Sequence, residues 1–355
     1  MTQTADTPPG APRGNFLDEV KSAVTPRAAL LVIGVLALQL LFITSYVGAL
    51  HDPKPRNVPF GITAPLPAIS QQAVTQLGKL PGSPLDARTV SDAKAARQKV
   101  MNRDLDGALI INPAGTTDTL LVASGGGTVL AASLDRLVST LELGQQRTVR
   151  TVDVAPASSE DFDGLSAFYL VVGWSVGGYL CASILAISSG ARPSNPHRAA
   201  IRLGALALMS IVGGIGGAVI IGPILGALPG SVWALWGLGA LVTFAVGAAT
   251  LALQGLFGIV GIGLAILIIV IGGNPSAGGA FPYPMLPPFW NAIGPSLPPG
   301  AGTWVARSIA YFQGNAVTGP LLVLSGWAVG GVVITMAAAE FRVRRRQPAP
   351  APAEA

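Results

Sequence analysis

Six apolar stretches, most of them about 20 residues long, run through the chain at 28–50, 165–188, 203–225, 232–253, 257–271 and 317–339. A helix needs about 20 such residues to cross a bilayer. Between the first two stretches the pattern changes to short alternating segments: strands are expected at 58–63, 87–90, 108–111 and 119–123, and helices at 69–80, 91–102 and 129–143, with Ser91 as an N-cap. The pattern predicts a mainly α-helical integral membrane protein of six transmembrane helices, with a small extracytoplasmic α/β domain between the first and second.

The weakest boundary lies between the fourth and fifth stretches, at Leu253-Gln254-Gly255, where no charge marks a loop. The basic residues settle the count. Lys and Arg collect on cytoplasmic loops, and ten of the eleven outside the 51–164 segment form three clusters: Arg13, Lys21 and Arg27; Arg192, Arg198 and Arg202; and Arg342, Arg344, Arg345 and Arg346. If all three are cytoplasmic, an even number of crossings separates each pair, which requires four spans after Arg202. Both termini are then cytoplasmic and the protein sits in the plasma membrane.

This arrangement divides the chain into a cytoplasmic tail and interfacial helix (1–27), transmembrane helix 1 (28–50), an extracytoplasmic domain (51–164), a five-helix transmembrane domain (165–339) and a basic, Pro/Ala-rich cytoplasmic tail (340–355). The interfacial helix is expected at 15–25, with Asn15 as its N-cap and Phe16, Leu17, Val20 and Val24 on one side; the alternative is a plain juxtamembrane linker. Val47-Gly48-Ala49 resembles a cleavage site. The apolar run before it exceeds the roughly 7 to 15 residues of a signal-peptide core, so an uncleaved anchor is expected.

Composition reinforces the class. Of 355 residues, 50% are hydrophobic and 11% charged, against about 25% charged in soluble domains. The 51–164 segment holds 11 basic and 12 acidic residues, whereas Leu203 to Ala339 contains one charged residue, Arg307. Within that charge-poor stretch, 272–316 carries eight prolines between Pro275 and Pro299, which forbid a continuous helix. It reads as an outer re-entrant or interfacial hairpin, followed by a short helix at 300–313 that places Arg307 near the interface.

Little chemistry accompanies this pattern. One cysteine, Cys181, excludes an intrachain disulfide and thiolate clusters. His51 and His197 fall on opposite membrane faces, which excludes a shared metal site or triad. Gly125-Gly126-Gly127 lacks the following Lys-Ser or Lys-Thr of a phosphate loop, so it reads as a turn and the chain carries no ATP-binding motif of its own. No cofactor and no enzymatic activity are expected. The glycine pairs Gly173/Gly177 and Gly222/Gly226 have the spacing of close helix contacts. The absence of carboxylates inside the spans disfavours an ion-coupled carrier. The basic excess flanks apolar runs, so it sets topology and does not point to nucleic acid.

Three segments carry a resemblance: Gly273-Asn274-Pro275-Ser276-Ala277-Gly278-Gly279, then Met285-Leu286-Pro287, then Leu297-Pro298-Pro299-Gly300-Ala301. With the order of spans and outer domain, they resemble the permease subunits of ABC-2 type exporters, in the phage-infection-protein-like (YhgE/Pip) branch, although the outer domain is far shorter than in that branch's largest members. The resemblance implies a homodimeric or heterodimeric transmembrane unit in the lipid bilayer, driven by a separate cytoplasmic ATPase subunit and exporting hydrophobic or envelope-directed compounds. It places the ATPase contact on the loop holding Arg192, Pro193, His197 and Arg198; the alternative is that these arginines only set topology. It also singles out Asn274, Pro275, Gly278, Pro298, Gly300 and Arg307 in the outer hairpin. A different class, a non-transporting membrane scaffold or surface receptor whose outer domain binds a partner, remains the second expectation.

Overall fold

The computed structural model describes residues 25–346; the interfacial helix expected at 15–25 lies outside them but for its last residue. The chain divides into two compact units, residues 1–44 and 45–355. Helix α1 (Pro26–Leu50) is an uncharged apolar rod apart from Arg27 at its start.

The second unit opens into the sheet domain. Strands β1 (Val58–Thr63), β2 (Leu85–Thr89), β3 (Gly107–Ile110), β4 (Thr117–Val122) and β5 (Thr148–Asp153) form one sheet in the order β2-β1-β3-β4-β5. β1 pairs in parallel with β2 and β3, β3 is antiparallel to β4, and β4 is parallel to β5. Helices α2 (Pro67–Leu77), α3 (Ala93–Met101) and α4 (Thr128–Gly144) supply the crossovers. The period-2 rule sorts the core. Val58, Phe60, Ile62, Leu109, Leu120 and Val122 pack with α4 through Leu130, Leu134 and Val138, while Ala108 and Leu121 pack on the opposite face with Ala96 and Val100 of α3. Full burial of a side chain such as Phe60 or Leu134 stabilises by about 1.5–3 kcal/mol. The expected strands and helices are all present. Strand β5 was not anticipated, and the cap of α3 is Asp92, whose Oδ1 accepts the Ala95 amide at 2.8 Å, with Ser91 donating to Asp92 instead.

The rest is helical: α5 (Ser166–Ser189), α6 (Pro196–Val219), α7 (Val232–Phe257), α8 (Val260–Ala265), α9 (Pro288–Ile293), α10 (Pro298–Tyr311) and α11 (Thr318–Arg346). A wider π turn at Ile220–Ile224 extends α6, and another at Ile266–Gly273 extends α8. Among the described residues five helices are long and apolar enough to cross a membrane. The fifth expected span, at 257–271, is shorter: α8 with its π extension covers Val260–Gly273, about 21 Å at most against a hydrocarbon core of about 30 Å. The preceding break is also displaced. α7 continues through Gln254 to Phe257 and stops where Gly258 takes a left-handed φ of 67°. The third span begins at Pro196, capped by Asn195, so Arg198 and Arg202 lie inside the helix and not before it.

Helix α7 is the centre of the bundle. Gly178 of α5, Gly214 of α6 and Gly331 of α11 each face its backbone so closely that a Cβ would collide with Thr243, Ala240 and Ala248–Ala249 respectively. Of the glycines that spacing alone suggested, Gly177 faces a neighbouring helix closely, with a Cβ there 3.0 Å from Met209 of α6, and the other three do not pack as tightly. Gly173 has open space beside it, and Gly226 forms a turn at φ 65°.

Candidate functional site

Where the sheet domain meets the helical bundle, their cores merge. Ala155 of the sheet domain, with partly buried Met101 and Ala123, shares one apolar cluster with Val171, Trp174, Leu235, Val242, Tyr311 and Phe312 of the helical part. Into this junction α10 carries Arg307. The helix starts on Pro298 and Pro299, whose missing amides cost nothing in a first turn, and nearly all its side chains are buried within the protein.

Arg307 is 4% exposed. A buried cation without partners costs several kcal/mol, and here the partners are backbone oxygens. Nη1 donates to Gly126 O at 3.1 Å and Gly278 O at 2.7 Å, and Nη2 to Gly164 O at 2.9 Å and Gly279 O at 2.7 Å. One side chain thus ties the turn after β4, the entry to α5 and the hairpin loop to α10. Burial pulls the guanidinium below its ordinary value, opposed by the carboxylate of Asp161.

The hairpin residues singled out by sequence converge on this knot. Gly278 adopts φ 70° with the Tyr283 ring against it. Pro275 and Pro298 are buried, and Pro299 packs on Gly273. Ser276 Oγ closes the loop onto Gly272 O at 2.7 Å. Any side chain at Gly300 would strike Gly294 O and the Tyr283 hydroxyl. Asn274 stands beside the Tyr46 phenol, with its Oδ1 buried.

A cavity of about 190 Å³ lies next to the knot, lined by Pro59, Arg103, Asp106, Tyr283, Trp304 and Arg307 among others. Arg103 follows α3 at φ 62°, a backbone region uncommon for a side chain of its size. It donates to Trp304 O at 2.9 Å and Ser308 Oγ at 2.8 Å, with its guanidinium 3.4 Å over the Trp304 ring and 4.7 Å from Phe312. Trp304 stacks in turn on Tyr283, centroids 5.9 Å apart. Burial and the like charge of Arg307 push Arg103 down to about 9, while burial pushes Asp106 up to about 6 against the pull of Arg103. Tyr311 donates to Asp161 at 2.7 Å, whose other oxygen accepts the Ser166 amide at the start of α5. Two guanidiniums and two carboxyls therefore meet at one buried seam. Sequence reasoning flagged Arg307 but not Arg103, Asp106 or Asp161; the signal available for Arg103 was its place just after a helix end.

The loop between α5 and α6 lies at the opposite end of the bundle. Arg192 Nη2 donates to Leu256 O at 3.0 Å, and Pro193 is buried, with its carbonyl accepting from Arg342 at 3.1 Å. These two hold helix ends together. His197 and Arg198 are exposed on the first turn of α6. Among the described residues no group of three or more His, Cys, Asp or Glu could hold a metal ion. No protein-family model, no curated protein and no solved structure matches this chain.

Proposed function

We propose that this multi-pass membrane protein is the transmembrane permease subunit of an ATP-driven exporter of hydrophobic or envelope-directed compounds. The observation that carries the reading is the merged core with its Arg307 knot. A receptor domain needs only a tether, whereas a domain sharing its core with α5, α7 and α10 moves when the helices move. The spans supply no carboxylate to couple an ion gradient, so the energy comes from a separate cytoplasmic ATPase.

In this proposal the chain crosses the membrane six times, with both termini cytoplasmic, and works as a homodimer or heterodimer. Two contacts support counting the short α8 segment as a crossing: its start lies beside α7 carbonyls bonded by Arg192 and Arg342, and its end leads to the carbonyls bonded by Arg307. His197 and Arg198 on the first turn of α6, and Arg192 before it, are exposed and open to an ATPase. The test is purification with P-loop ATPases encoded beside it, followed by dye accumulation in inverted vesicles. The expected result is a stable complex and ATP-dependent accumulation of a lipophilic dye, both reduced by Arg198→Glu. Recovery of the chain without any ATPase, and no ATP-dependent accumulation, would sink the proposal.

A further inference from the structure

Away from the junction, the sheet domain contains a larger cavity of about 510 Å³ between α2 and α4. Its floor is apolar, with Ile69, Leu77, Leu109 and Leu141, and its rim carries the amides of Gln72 and Gln76. One end is closed by a charged cluster. Arg147 donates to Asp118 at 2.7 and 2.6 Å, to Gly115 O at 3.0 Å and to Asn112 O at 2.8 Å, which occupies four of its five N–H groups. Asp118 also accepts the Asn112 amide at 2.7 Å. Glu142, 7% exposed, stands 3.5 Å from Arg147 Nε and shares a hydrogen bond with Asp118.

The charges do not balance. Two carboxyls share one guanidinium whose short hydrogen bonds go to Asp118 and to carbonyls, so Glu142 has only the longer 3.5 Å contact with Arg147 to offset its charge. α2 and β3 contribute no titratable side chain. Pockets that bind small molecules are largely apolar, with a few placed polar groups. From this shape and this only partly compensated acid, we infer that the cavity is a binding site for an amphipathic amine, its apolar body on the Leu/Ile floor and its ammonium against Glu142. The inference does not depend on whether the bundle transports.

Burial, and then the charge of Asp118, push the Glu142 carboxyl up to about 7. Arg147 and its bonds hold Asp118 below the usual carboxylate range despite its burial. Asp118 and Arg147 therefore keep their charges near neutrality while Glu142 titrates. An alkylamine stays cationic there, as a lysine does, so its affinity should rise as pH rises through about 7.

The test uses the full chain in nanodiscs of neutral lipid, titrated calorimetrically with n-octylamine, n-octanol and n-octanoate after subtraction of empty discs. Octylamine should bind one to one, at least tenfold tighter than octanol and with no matching site for octanoate. Glu142→Gln should cost octylamine at least tenfold, leave octanol unchanged and abolish the pH dependence. Ala73→Trp, which fills the groove, should remove binding of both; Gln76→Trp, on the exposed rim, does the same if the first variant fails to fold. Equal affinities for octylamine and octanoate, binding that survives both groove-filling variants, or no octylamine binding at all would each overturn the proposal.

Discussion

The two ends of the helical bundle solve the same problem in different ways. At both, arginine guanidiniums bond backbone carbonyls. At the basic end the acceptors, apart from the loop oxygen Pro193 O that Arg342 also bonds, are the last carbonyls of helices: Arg202 bonds Ser189 O at 2.9 Å and Gly190 O at 2.7 Å, closing α5, while Arg192 and Arg342 bond Leu256 O and Gly255 O at the end of α7. Such oxygens lack intrahelical partners and carry the negative end of the helix dipole, so cations are favoured there. At the domain end the acceptors belong to loops, and one residue, Arg307, serves four of them. The basic end distributes its ties over three side chains, exposed Arg192, half-buried Arg342 and buried Arg202; the domain end concentrates them in one buried residue. Distribution tolerates loss, and concentration does not.

The sharpest way to break this comparison is Arg307→Ala. Each buried carbonyl left without a donor costs on the order of 1–3 kcal/mol, and a cavity the size of the lost side chain adds to that, so the substitution should remove most of the stability of the junction. The expected readout is a large fall in thermal midpoint, with protease cleavage appearing near Gly164 and Gly278. Arg307→Lys keeps the charge but cannot fork to four oxygens, and should recover only part of the loss. An unchanged midpoint for Arg307→Ala would mean that the merged apolar core holds the domain without the knot.

Arg103→Ala should come next. It loses two hydrogen bonds and the contact with Trp304, for a cost of about 2 kcal/mol. Because Arg103 sits at φ 62°, glycine fits this backbone better than alanine does. Arg103→Gly should therefore be the milder substitution in the same denaturation measurement. If alanine and glycine behave alike, backbone strain contributes nothing there.

How much of this was legible in the sequence depends on what kind of information each contact carries. The sheet was readable because Val58, Phe60 and Ile62 alternate strictly. Strand β5 was not, since its apolar residues Val149 and Val152 stand three apart and it pairs on one side only. The α7–α8 boundary was placed too early because Gln254 reads as a polar break; it is fully buried in the helix, and the turn depends on Gly258. Arg307 stood out as a lone charge, yet its partners are glycine carbonyls up to 181 residues away. A backbone oxygen has no residue identity, so only the fold reveals which ones converge. The groove beneath α2 was invisible for a related reason: Glu142 and Asp118 come from separate elements and meet only where α4 packs on β4.

The smallest expected effect belongs to the last helix and sharpens the contrast within the basic end itself. Arg344 pairs with Glu340 one turn earlier at 3.2 Å, with the two side chains 75% and 49% exposed. An exposed i,i+4 pair of this kind contributes about 0.3–0.5 kcal/mol and is weakened by salt. Arg342, two residues before it, is half-buried and reaches Pro193 O and Gly255 O, joining the α5–α6 loop to the end of α7. Arg344→Ala should therefore leave the thermal midpoint nearly unchanged, and its small effect should vanish in high salt. Arg342→Ala should lower the midpoint in a salt-independent way, by more than Arg344→Ala and less than Arg307→Ala, because Arg192 still covers the end of α7. A midpoint for Arg344→Ala as low as that of Arg307→Ala would mean that cation placement, and not the number of carbonyls each cation satisfies, sets the stability of the bundle ends.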